Sequence, residues 1–197
     1  MARAGLTADR VTAAAADLAD EIGFEKVTLS AVARHFGVKD ASLYSHVRNV
    51  RELRTRVALL AGGEMIDRIA VAVAGRSGED ALFAFADAYR AYAVEHPGRY
   101  AATQISVDPE AAAGSAALRR TVEITYGMLR GYGLAEPDLT DAVRLLRSTF
   151  HGFSTIAAQG GFNHTRDVET SWRRAVAALH IALEHWPSPA GGGNTDA

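Results

Sequence analysis

Between Gly37 and Val47 the chain sets small and polar side chains around one apolar anchor. Lys39, Asp40, Ala41, Ser42, Tyr44, Ser45 and His46 surround Leu43. A helix over Lys39–His46, held by Leu43 and Val47, turns them outward or sideways. The chemistry open to such a set is hydrogen bonding to the edges of stacked bases. Ala41 and Ser42 are short enough to let a helix N-terminus enter a duplex major groove, where small side chains reach base edges. Groups suited to phosphate lie around it. Thr28 and Ser30 offer hydroxyls and amides at the start of the preceding helix, and Tyr44, His46 and Arg48 lie on the far side. The amides that open the next helix form a further anion site.

The elements that hold these groups follow from period and punctuation. Thr7 caps a first helix that has Asp9 in its opening turn, Val11, Ala14, Leu18 and Ile22 on one face, and Gly23 at its end. Thr28 caps a short second helix whose buried side is Leu29, Val32, Ala33 and Phe36, and Gly37 stops it. Two short helices meeting across a glycine turn make a helix-turn-helix. Asn49 caps a long fourth helix carrying Leu53, Val57, Leu60, Ile66, Ile69 and Val73. Gly62-Gly63 within it marks a bend or a close packing point.

Helical period continues to the C-terminus, and no segment alternates as a strand. One helix carries Leu82, Phe85, Tyr89 and Tyr92 and ends near His96-Pro97; a short one covers Gly98–Gln104. Asp108-Pro109-Glu110 opens another, which carries Leu118, Val122 and Leu129 and stops at Gly131. The last two run over Pro137–Gln159 and Val168–Trp186. The expected fold is all-α. A three-helix helix-turn-helix domain spans residues 1–48, a C-terminal helical bundle spans 49–187, and a disordered tail rich in Pro and Gly spans 188–197.

The last two helices are apolar over arcs too wide for one chain of this size to cover. The stripe Leu145, Thr149, Gly152 and Ile156, with Trp172, Leu179 and Leu183 and the small residues Ala175 and Ala182, is the expected interface of a two-fold homodimer.

Bulk composition narrows the class. The chain has 197 residues, 48% hydrophobic and 22% charged, enough to bury a core without disulfide or metal. It has no cysteine, which removes thiol catalysis and Cys-ligated zinc. The N-terminus lacks the apolar stretch of a signal peptide, and no apolar run reaches the ~20 residues that span a bilayer. A cytoplasmic protein without a membrane partner is expected. The net charge of −2 divides into +2 over residues 1–56 and −4 over the remainder, a mildly basic head on an acidic body.

The tract from Gly37 to Asn49, followed by Glu52-Leu53, resembles the turn and recognition helix of the tetracycline-repressor (TetR) family. His96-Pro97-Gly98-Arg99-Tyr100, Phe150-His151-Gly152-Phe153 and Gly160-Gly161-Phe162 resemble one subgroup of that family's ligand domains. The resemblance covers nearly the whole chain apart from the tail. It implies that Ser42, Tyr44 and His46 contact an operator in double-stranded DNA, with Thr28 and Ser30 near its backbone. It also implies that the last two helices form a four-helix bundle across a dimer, and that the helices between hold a small-molecule inducer. Repression is the family's habit. Where the family usually has a lysine near the start of helix four this chain has Val50, so Arg48 or Arg51 is the expected substitute for that phosphate contact.

An inducer pocket would be largely apolar with few polar groups. Its candidates are Phe85, Tyr89, Tyr100, Tyr126, Phe150 and Trp172, with Gln104, Arg147 and His151 as polar groups. His151 stands out because a buried imidazole on an apolar face needs a partner. No cofactor is expected. His180 and His185 lie five residues apart, off one helical face, so no metal site is expected. The sequence carries no phosphate loop, dinucleotide fingerprint or nucleophile elbow, so no enzyme is expected. Asp17, Asp20 and Glu21 read as a solvated helix face. The competing class is a helical enzyme or carrier whose first three helices only pack; another is a regulator whose pocket is vestigial.

Overall fold

The computed structural model describes residues 5–187, so the tail expected over 188–197 lies outside the described residues. The helices are α1 (Ala8–Ile22), α2 (Leu29–Phe36), α3 (Val50–Val73), α4 (Gly78–Glu95), α5 (Pro97–Ala102), α6 (Pro109–Gly114), α7 (Ala116–Leu129), α8 (Asp138–Ala158) and α9 (Val168–Glu184). The fold is all-α, and no strand occurs among the described residues. The caps act as their side chains require. The Thr7 hydroxyl accepts from the Arg10 amide, the Thr28 hydroxyl from Ala31, and the Asn49 carbonyl from Glu52. Each satisfies a donor that a helix start leaves without a partner. Gly37 ends α2 with φ 65, a left-handed conformation that its missing Cβ permits.

Two hydrophobic cores are joined by α3. The first gathers Val11, Phe24, Val27, Val32, Leu43, Val47, Leu53 and Val57; the second gathers Ile66, Ile69, Leu82, Tyr92, Phe150, Trp172 and Val176. The N-terminal core therefore extends past residue 48 into the first half of α3. Close packing of α1 on α5, and of α3 on α4, α5 and α7, joins the two cores.

Three expectations need correction. Lys39–His46 is not an α-helix. A 3-10 turn over Asp40–Ser42 leads into further turns, with amide bonds from Ser42 to the Lys39 carbonyl (2.9 Å), Leu43 to Asp40 (2.9 Å) and His46 to Leu43 (2.9 Å). Polar side chains of the tract bond locally and across the turn. Ser45 Oγ donates to the Ser42 carbonyl at 3.0 Å, and the Ser30 hydroxyl donates to the Asp40 carboxylate. The Ser45 bond is a local side-chain to backbone bond, of the kind that competes with helical ones. The helix expected from Asp108 to Leu129 is two helices, because Ser115 caps α7 by accepting from the Leu118 amide at 3.3 Å. Trp172, Leu179 and Leu183 are buried inside the protomer's own core, so they offer no surface to a second copy. Trp172 lies against Phe150 and Phe153, with ring centroids at 5.6 and 5.0 Å, and its indole N–H donates to Asp87 at 2.9 Å.

Gly62 and Gly63 do not interrupt α3. A Cβ on Gly63 would meet Ala117 of α7 at 3.6 Å, ordinary contact, and a Cβ on Gly62 would meet nothing within 4 Å, so neither glycine is required by close packing.

Candidate DNA-recognition surface and effector region

Around the buried Leu43, the side chains of Lys39, Asp40, Ala41, Ser42, Tyr44 and Ser45 are exposed, and His46 is half-buried. Tyr44 leaves 58% of its surface open, a large aromatic presented to solvent rather than folded into the core. Thr28 and Ser30 are exposed at the start of α2, and Arg48 and Arg51 at the start of α3. The tract and these two helix starts lie together on the first core. Leu43 and Val47 hold the tract in place; burying a leucine of this kind stabilises by about 1.5–3 kcal/mol.

The start of α3 is organised by Glu52. Its carboxylate accepts from the Arg48 amide at 2.8 Å and pairs with the Arg48 and Arg56 guanidinium groups at 3.2 and 2.8 Å. The Arg48 amide holds this carboxyl below the ordinary carboxylate range; burial opposes the shift, and the two arginines add to it. Arg48 is thus partly engaged within the chain, while Arg51 is exposed one residue beyond Val50.

The inducer-pocket candidates divide into groups. Tyr89, Tyr100 and His151 come together: the two phenol oxygens are 2.9 Å apart, and the Tyr100 oxygen lies 2.8 Å from His151 Nδ1. Burial raises the pKa of both phenols, so they remain neutral hydrogen-bonding groups. Phe85 and Tyr89 contact Phe150 at 6.1 and 5.6 Å between ring centroids, and Phe150 contacts Trp172. These rings pack against one another. Arg147 is exposed one turn before His151. Gln104 bonds its neighbour Thr103 at 2.7 Å, and the Tyr126 hydroxyl donates to Glu136 at 3.2 Å, so neither joins the group.

The residues the sequence reading missed lie between the two cores. The Arg99 guanidinium pairs with Asp17 and Asp20 of α1, and its Nε lies 3.3 Å from Glu64 of α3. The Arg99 amide donates to Asp20 at 2.8 Å. Burial works against the charge of Arg99, but the bonds to Asp17 and Asp20 and the charge of Glu64 outweigh it and raise its pKa. His96 lies 3.1 Å from Asp20 through Nδ1 and 3.0 Å from Arg68 through Nε2. The Arg99 guanidinium approaches Nδ1 as well, at 3.4 Å, so the imidazole stands among Asp20, Arg68 and Arg99. Asp20 is thus pinned, not part of a solvated face as expected. The available signal was Gly98-Arg99 after a helix-ending His96-Pro97.

On the expected dimer stripe, Ile156 is exposed, while Leu145, Thr149, Gly152, Ala175 and Ala182 are half-buried. Ala178 and Ile181 extend the exposed apolar surface along α9; Ile181 is 58% open. No helix among the described residues is long and apolar enough to cross a membrane.

Comparison with known proteins agrees with this geometry. Residues 11–57 match the family model for bacterial regulatory proteins of the tetR family, and residues 82–179 match that for the tetracyclin repressor-like C-terminal domain. The HTH-type transcriptional regulator YobS of Bacillus subtilis is 31% identical over 167 residues, 84% of this chain and 86% of its own. BioQ, solved with its double-stranded DNA operator, shares the fold at a TM-score of 0.68 and 20% identity, covering 91% of this chain and 99% of its own. A TetR variant of Acinetobacter baumannii, solved with minocycline, does so at 0.71 and 18% identity, covering 94% and 100%. With the two family models matched over most of its length and the exposed tract around Leu43 set on the first of its two helical cores, this chain belongs to the TetR family of bacterial transcriptional regulators.

Proposed function

We propose that this protein is a cytoplasmic homodimeric repressor that binds a near-palindromic operator and is released from it by a small-molecule inducer. The observation that carries the reading is the polar set around Leu43, displayed beside the starts of α2 and α3. Ser42, Tyr44 and His46 read or flank bases, with Lys39, Asp40, Ala41 and Ser45 around them. Thr28, Ser30, Arg48 and Arg51 hold phosphates. Two copies joined through Ile156, Thr149, Gly152, Ala175, Ala178, Ile181 and Ala182 on α8 and α9 would set two such surfaces in successive major grooves, about 34–36 Å apart.

Release would pass through α5. Tyr100 joins the Tyr89–His151 group of the effector region, and the adjacent Arg99 grips Asp17 and Asp20 on α1. A ligand that separates the Tyr100 hydroxyl from its partners would move α5 and with it α1. Such a ligand acts only through unequal affinity for the two arrangements.

The test is fluorescence anisotropy with duplex DNA from upstream of the protein's own gene, at two salt concentrations, with sedimentation to read the oligomeric state. Tight binding by a dimer that weakens steeply with salt is expected. A chain that stays monomeric, or holds this DNA no better than random duplex, overturns the reading.

A further inference from the structure

Two adjoining clefts lie between the first turns of α3 and the segment that joins α5 to α6. The larger, of about 670 Å³, is lined by Arg48, Arg51, Glu52 and Arg56 at the start of α3 and by Asp108 and Glu110 at the start of α6. The smaller, of about 220 Å³, again has Arg51 and Asp108 in its lining, with Arg54 and Ser106. Apolar groups seat the segment here. Ala102 at the end of α5 is buried in the first core, and the half-buried Ile105 and Val107 pack against it. Asp108 follows directly, so its backbone is held beside the arginines.

The larger cleft holds three arginines and three carboxylates, and they are unequally engaged. Glu52 pairs with Arg48 and Arg56. That leaves Arg51, Asp108 and Glu110 without an ion pair among the described residues, and all three are exposed. The Asp108 carboxylate accepts from the Glu110 amide at 3.0 Å and caps α6, which fixes where its charge sits. An exposed cation thus shares its cleft with two exposed carboxylates. A phosphate brought to Arg51 enters the field of both. Charges closer than the Debye length, about 8–10 Å in ordinary salt, are only partly screened from one another.

We infer that Asp108 and Glu110 are determinants of DNA affinity that hold it below what the recognition surface alone would give. The inference rests on the reading of Arg48 and Arg51 as phosphate-holding groups. The two carboxylates attract the arginines that the phosphates need and repel the phosphates themselves, so both effects act in one direction. Neither belongs to the exposed set around Leu43, and a charge felt by the DNA backbone carries no base information. They therefore weaken binding to operator and to random duplex alike. The surface that meets DNA is accordingly bounded by an acidic edge that comes from α6, outside the helix-turn-helix.

The test titrates full-length protein by fluorescence anisotropy against duplex from upstream of its own gene and against random duplex, at low and high salt. The variants are Asp108→Asn, Glu110→Gln, the two combined, and Arg51→Ala. Asparagine caps a helix as aspartate does, so Asp108→Asn removes the charge and keeps the cap. Each single variant should bind both duplexes about two- to threefold more tightly at low salt, the scale of one surface charge acting through water, and the double variant more tightly still. The gain should shrink at high salt. Glu110→Lys should exceed Glu110→Gln. A double variant equal to the parent at low salt, beside an Arg51→Ala variant that loses affinity, overturns the inference and leaves the DNA-binding reading standing. A gain that salt does not reduce also overturns it, because the cause is then not charge. A parent that holds neither duplex at low salt overturns both.

Discussion

Gly98 of α5 lies directly against the backbone of Ala19 in α1. A Cβ at Gly98 would come 1.9 Å from the Ala19 carbonyl oxygen and 2.6 Å from the Asp20 nitrogen. Two helices from different cores thus meet with no side chain between them, and the Arg99 clasp is built on that contact. Gly98→Ala must push α5 off α1. It should lower stability by about 1–3 kcal/mol, the cost of forcing atoms into a filled space. Chemical unfolding measures it, and a variant as stable as its parent would show that the two helices separate freely.

The Tyr100 hydroxyl serves two partners and the Tyr89 hydroxyl one. Tyr100→Phe leaves both Tyr89 and His151 without their shared partner, whereas Tyr89→Phe removes a single bond. The Tyr100 variant should lose about 1–3 kcal/mol and the Tyr89 variant less, since a buried polar group stripped of its partner keeps its desolvation cost. Equal losses in urea unfolding would mean that Tyr100 does not bridge the pair.

Acid should weaken the start of α3. Glu52 is held below its ordinary pKa of 4.5, chiefly by the Arg48 amide. A lowered folded-state pKa gives stability that is fully present above 4.5 and is lost as pH falls through the lowered value. Glu52→Gln should therefore be less stable than the parent at neutral pH, and the difference should shrink towards pH 3. A gap that stays constant with pH would assign the effect to shape rather than charge.

Arg51 and Ser42 should fail differently on DNA. If Arg51 holds a phosphate, Arg51→Ala weakens all duplexes alike and lowers the slope of log affinity against log salt by about 0.9. If Ser42 reaches a base edge, Ser42→Ala costs about 1–3 kcal/mol on the operator and little on random duplex. Anisotropy titrations across salt separate the two, and a Ser42 variant equal to the parent on both DNAs removes it from the reading surface.

Much of this protein was legible locally. Thr7, Thr28 and Asn49 cap the helices they precede, and Gly23 and Gly37 end the helices before them. A helix terminus is settled by hydrogen bonds within about four residues, and the residue types that make those bonds are visible in the chain. The set around Leu43 was legible for the same reason: one anchor and its polar neighbours are adjacent in sequence.

Tertiary structure decided what local pattern leaves open. The apolar arc of α9 shows that two faces are covered, but not that Trp172 turns inward to Phe150 and Asp87 while Ile181 stays outside. Asp20 and Arg99 are 79 residues apart and carry no shared period, so an acidic residue on an amphipathic helix read as solvated until α5 lay across it. The apolar anchors Leu43 and Val47 did not decide that Lys39–His46 forms a 3-10 turn and further turns in place of an α-helix. Periodicity in the sequence determined which elements exist and which sides are apolar; side chains meeting across the fold determined which side faces which neighbour, because those contacts are made by residues that the chain brings together only once it is folded.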